Sequence, residues 1–111
     1  MNENSVSADD LLAGASATYT VEVPASIIKP GANGEGKPVD VQIKPITIGS
    51  FQLIMKAAKD DAVMIPLLLI QEALVQPKMN FSQIQRMNLG LVEFLVEHIR
   101  KISGMGEKKN T

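Results

Sequence analysis

The chain has 111 residues, a formal net charge of −1 and no cysteine. A length of this order suits one domain with one modest core, and the near-neutral balance lacks the broad positive field that nucleic-acid binding needs. The absence of thiols excludes disulfides and thiolate metal sites, and 45% apolar with 21% charged residues describes a folded domain rather than a disordered chain.

Residues 1–16 are rich in Asn, Ser, Ala and Asp and are expected to form a flexible N-terminal arm. Leu11 and Leu12, after Asp9 and Asp10, can make one helical turn, but an isolated turn is unstable in water. The start carries no basic segment followed by an apolar one, so no secretory signal is read there. The longest apolar run, Ala62 to Ile70, contains Pro66 and falls short of the ~20 residues a membrane span takes. Together these features describe a cytosolic chain, and neither nucleic acid nor membrane is expected as a partner.

Residues 17–104 read as a single domain. Tyr19, Val21 and Val23 alternate with Thr18, Thr20 and Glu22, the period of a half-buried strand, and Pro24 ends it. Ser26-Ile27-Ile28 is a candidate for a brief extension of the sheet. Pro30 to Gly36 is a glycine-rich turn. Val39, Val41 and Ile43 then define a second strand, which pairs most simply with the first as an antiparallel hairpin.

After Pro45 the period becomes helical. Thr47 is a candidate N-cap for a helix with Ile48, Phe51, Ile54, Met55 and Ala58 on its apolar face. Asp60 or Asp61 can end that helix and cap the next, which runs from about Ala62 to Val75. This second helix is apolar around most of its circumference and has to be covered on several sides. Pro66 falls in its first turn, where a missing N–H costs little. Pro77 follows, and Asn80-Phe81-Ser82-Gln83 has the form of a capping box. Asn88 can cap a last helix carrying Leu91, Val92, Leu95, Val96, Ile99 and Ile102, and Gly104 suits the left-handed residue that closes it. Residues 105–111 read as a polar tail. The expected fold is α+β: a small antiparallel β-hairpin followed by three to four short helices in a single domain.

Few residues suggest chemistry. Gly31 to Lys37 matches the start of a phosphate-binding loop, but Pro38 stands where Ser or Thr would hold magnesium. A strand follows in place of the helix N-terminus that would bind phosphate, so the segment reads as a turn. His98, the single histidine, has no partners for a zinc site and reads as a packing or helix-end residue. Asp60-Asp61 reads as helix punctuation. No catalytic residue, metal site or cofactor is expected. The six methionines suit either flexible core filling or an adaptable partner surface. Limited cover for the second helix suggests apolar surface left for a partner, whether another copy of the chain or a client.

From about Tyr19 to Gly104 the chain resembles the small tail assembly chaperones of long-tailed bacteriophages and prophages. The shared layout is a β segment, a Pro-hydrophobic-Thr entry at Pro45-Ile46-Thr47, a helical pair and a capping segment. The most telling stretch is Pro77-Lys78-Met79-Asn80-Phe81-Ser82-Gln83-Ile84-Gln85-Arg86-Met87, followed by Asn88-Leu89-Gly90-Leu91-Val92 and the closing helix. The resemblance implies a non-catalytic protein of the host bacterial cytoplasm, absent from the mature virion. It would bind the tape-measure protein and give way to tail tube subunits. The alternative in the same setting is a structural part of a tail or baseplate retained in the particle. Helix-in-groove binding would serve a client of this kind. The expected client surface is Val63, Leu67, Ile70 and Leu74, with Met64 and Met87 as adaptable contacts; the competing reading places all six in the core. The family often makes a longer form by ribosomal frameshifting, and Lys108-Lys109-Asn110 is compatible with a slippery codon run.

Overall fold

The structure is a computed structural model that describes residues 6–31 and 36–105. The fold class is α+β, as the sequence indicates, but the sheet has three strands rather than two. Strand β1 (Tyr19–Val23) pairs antiparallel with β2 (Val39–Ile43), with Val21 opposite Val41. The alternation works as expected: Val21, Val23, Val41 and Ile43 point into the core, while Thr20, Glu22, Asp40 and Gln42 face outward.

The connection between these strands is no tight hairpin. Pro24 starts a helical turn, α2 (Ala25–Ile28), where a sheet extension was expected. Proline fixes the entry dihedral at φ −60°, and the Pro24 carbonyl accepts from the Ile27 and Ile28 amides at 3.0 and 3.3 Å. The turn lays Ile27 and Ile28 against the core.

The third strand, β3 (Leu74–Gln76), joins β2 on its other side, with Leu74 opposite Ile43. It arises from residues expected to end the second helix. Helix α4 (Met64–Ala73) runs into β3 with no connector, and the Ala73 carbonyl accepts the Lys44 amide at 2.9 Å. Leu74 and Val75 suit a strand as well as a helix, and the free edge of β2 takes their backbone groups. The Gln76–Pro77 peptide is cis.

Thr47 caps α3 (Ile48–Ala58) as expected, accepting the Ser50 amide at 3.2 Å. The buried side of α3 is narrower than its apolar stripe. Ile54 and Ala58 are buried, but Ile48 and Met55 are exposed, because α4 is the element that α3 packs against. Ser50 Oγ donates to Glu72 Oε2 at 2.9 Å and fastens α3 to α4. Helix α4 lies between α3 and α6 (Leu89–Ile102) and also touches α5 (Phe81–Ile84), which explains apolar residues on most of its faces. Ile70, Ala73 and Leu74 meet Val23, Ile43, Ile84, Leu95 and Ile99 in one core. Each fully buried Ile or Val there contributes about 1.5–3 kcal/mol.

The helix ends confirm the local signals. At α5, Asn80 Oδ1 accepts the Gln83 amide at 2.8 Å and Gln83 Oε1 accepts the Asn80 amide at 2.9 Å. At the end of α6, Gly104 has φ 76°, the Met105 amide reaches the Arg100 carbonyl and the Gly104 amide reaches that of Lys101. This is the paired bonding of a Schellman close. In the arm, Ser7 and Asp10 form a further capping box for α1 (Ala8–Leu12), and a 3-10 turn follows at Ala13–Ser16. No residue of α1 is buried. Residues 1–5 of the arm and the tail from 106 onward, with Lys108, Lys109 and Asn110, lie outside the described residues.

Candidate functional site

A groove of about 700 Å³ lies between the N-terminal half of α4, the α5–α6 link and one side of α6. Each wall follows from local sequence. Asp61 positions the α4 wall: its carbonyl accepts the Met64 amide at 3.1 Å and its Oδ1 accepts the Val63 amide at 3.0 Å. This leaves Val63, just before α4, 74% exposed. Pro66 and Leu67 continue that wall. Ile84 and Met87 supply its end, set by the capping box of α5.

Helix α6 supplies the other wall. Its core stripe holds Leu95 and Ile99, both buried. Val92 and Val96 lie about 100° around the helix from Leu91 and Leu95, turn into the groove and stay half-buried. Leu89, 79% exposed, stands at the groove's N-terminal end. Glu93, Glu97 and Arg100 form the polar edge of this wall.

Asn88 fixes where α6 begins. Its Oδ1 accepts the Leu91 amide at 2.8 Å, capping α6. Its Nδ2 donates to the Ile27 and Ile28 carbonyls at 3.1 and 3.4 Å, at the end of α2. The two ends of the amide cannot be exchanged, because one side offers a donor and the other offers acceptors. At the opposite end, Ser103 Oγ takes the Ile46 amide at 2.8 Å. Helix α6 is thereby tied at both ends.

The structure divides the six expected client-surface residues. Val63, Leu67 and Met87 line the groove. Met64 is half-buried outside it. Ile70 and Leu74 are 0% and 2% exposed and belong to the core, so their assignment to a client surface is corrected. Their positions, at the end of α4 and the start of β3, face the sheet. Leu89, Val92 and Val96 were not singled out as client contacts. Their signal was an apolar arc on α6 wider than one packed face needs: Val92 and Val96 form a second stripe beside Leu91 and Leu95.

The remaining candidates resolve simply. His98 is half-buried and packs its ring on Phe94, with centroids 4.5 Å apart and planes tilted by 51°. Asp61 punctuates the start of α4, and no group of three or more metal-ligating side chains occurs among the described residues. Of the phosphate-loop lookalike, residues 32–35 lie outside the described residues; Gly31 and Gly36 have φ of 87° and 104°, and β2 follows. No helix among the described residues is long and apolar enough to cross a membrane. Comparison of the chain with family models, curated proteins and solved structures gives no match.

Proposed function

We propose that this chain is a tail assembly chaperone of a long-tailed bacteriophage or prophage. In this reading it is non-catalytic and acts in the bacterial cytoplasm. It holds apolar helices of the tape-measure protein in the groove between α4 and α6 until tail tube subunits replace it. The observation that carries the proposal is the open apolar groove, whose walls expose Val63 and Leu89 beside the half-buried Leu67, Val92 and Val96. Exposed contiguous apolar surface of this kind marks a partner site, and an apolar groove between helices suits another helix. The sequence resemblance over Pro77 to Val92 supplies the phage setting.

A second reading keeps the protein in the finished particle. Ile48, Leu53 and Met55 on α3 are also exposed, and a part bound permanently between neighbours needs more than one contact face. The test is affinity purification of the tagged chain from cells producing the particle, with mass spectrometry of both the eluate and purified particles. A long helical tape-measure protein in the eluate, with this chain missing from particles, supports the chaperone. This chain in particles beside tube or baseplate subunits overturns it in favour of the structural part.

A further inference from the structure

The groove's two walls differ in charge. The wall made by Val63, Pro66, Leu67 and Met87 carries no charged side chain, whereas the α6 wall carries Glu93 and Glu97 beside Val92 and Val96. The two glutamates are four residues apart, one helical turn, on the same side of α6 and both exposed. Like charges at this spacing repel each other in the free helix. Arg100 lies about one turn further on and is the one positive group lining the groove. From Leu89 to Arg100 the wall extends about 16 Å, the length of three helical turns.

Resting on the reading of the groove as a helix receptor, we propose that its occupant is a three-turn amphipathic helix with a defined charge pattern. Its apolar stripe lies on Val92, Val96 and Leu67. One flank carries two Lys or Arg residues four apart, which meet Glu93 and Glu97. A cationic flank relieves the repulsion between the glutamates, while an anionic flank adds to it. Arg100 fixes direction, because an acidic residue one turn beyond the basic pair fits only one orientation of the helix.

Two exposed helices among the described residues, α1 and α3, fit this pattern poorly. Helix α1 offers Leu11 and Leu12 but carries Asp9 and Asp10 and no basic residue. Helix α3 offers Ile48, Leu53 and Met55 with a single lysine, Lys56, within the helix. A foreign basic amphipathic helix therefore matches the groove better than a second copy.

The test uses two synthetic peptides with one common leucine stripe, one flanked by lysines four apart and the other by glutamates. Their binding to the full chain is measured by fluorescence anisotropy at low and high salt. The lysine peptide should bind about tenfold more tightly or better, with two exposed ion pairs exchanged for two repulsions. The gap should narrow as salt rises. In the Glu93→Lys/Glu97→Lys variant the preference should reverse; in Glu93→Gln/Glu97→Gln, with an unchanged circular dichroism spectrum, it should vanish. Equal binding of both peptides, or binding of neither, overturns the proposal. Self-association of the chain that is abolished by the lysine variant also overturns it, by showing a second copy in the groove. None of these outcomes depends on whether the chain is found in particles, so the charge pattern and the chaperone role fail separately.

Discussion

Substituting Asn88 by alanine should remove the N-terminal cap of α6 and the bridge from α6 to α2 in one step. The cap is worth about 1 kcal/mol. The 3.1 Å bond to the Ile27 carbonyl adds about 1 kcal/mol, and the 3.4 Å contact to Ile28 adds little. Asn88→Ala is thus expected to cost about 2 kcal/mol, which lowers the melting temperature by roughly 10 °C in a domain of this size. Two further replacements separate the contributions. Asn88→Ser keeps a capping oxygen and loses the donor, for a cost of about 1 kcal/mol. Asn88→Asp is nearly the same shape and caps as well, but turns a carboxylate oxygen toward the two α2 carbonyls. It should cost about 1–2 kcal/mol despite its favourable charge at a helix N-terminus. Urea unfolding followed by circular dichroism, with unchanged slope, measures each value. An Asn88→Asp protein as stable as the parent would refute the bridge to α2.

Lys59 occupies a position built for glycine. It has φ 54° and ψ −119°, and the Asp61 amide bonds to the Ala58 carbonyl at 2.9 Å across it, the geometry of a type II′ turn. Lys59→Gly should therefore raise stability by about 1 kcal/mol in the same urea titration. Ile70→Ala and Leu74→Ala should each cost about 2–5 kcal/mol, as core truncations do. By contrast, Val63→Asp and Leu89→Asp should change stability by no more than about 0.5 kcal/mol, yet abolish recovery of the client in the affinity purification. Removing residues 1–16 should leave the urea midpoint unchanged, because no residue of α1 or of the 3-10 turn after it is buried.

The local code of this chain was legible where one residue or one short period decides the outcome. The alternation of Tyr19 to Val23 and Val39 to Ile43, the caps at Thr47, Asn80 and Asn88, and the close at Gly104 all depend on neighbours within a few positions. What escaped depends on distant partners. Leu74 and Val75 became a strand because β2, far earlier in the chain, had a free edge, where Ile43 lies opposite Leu74. Ile27 and Ile28 became a turn because Pro24 redirected the backbone. The candidate site shows the same division. Its α4 wall was half visible in Val63 and Leu67, since an all-apolar helix announces itself. Which of its faces met the sheet was set by α4's continuation into β3, so Ile70 and Leu74 could not be told from Leu67 by composition. The α6 wall was hidden within a stripe that looked like core alone.

The direct passage from α4 into β3 also governs how the groove can adapt. A helix that ends in a loop can swivel; α4 cannot, because any rotation would shear Leu74 away from Ile43 and the Ala73 carbonyl away from the Lys44 amide. The Ser50–Glu72 bond adds the inertia of α3 to the same wall. Compliance is left to the opposite corner, where Met87 follows a helix of four residues and brings a side chain with three rotatable bonds. Occupants that differ in bulk should be judged strictly where they touch Val63 and Leu67 and leniently where they touch Met87, so that a single rigid jaw sets the register while a soft corner admits sequence variety.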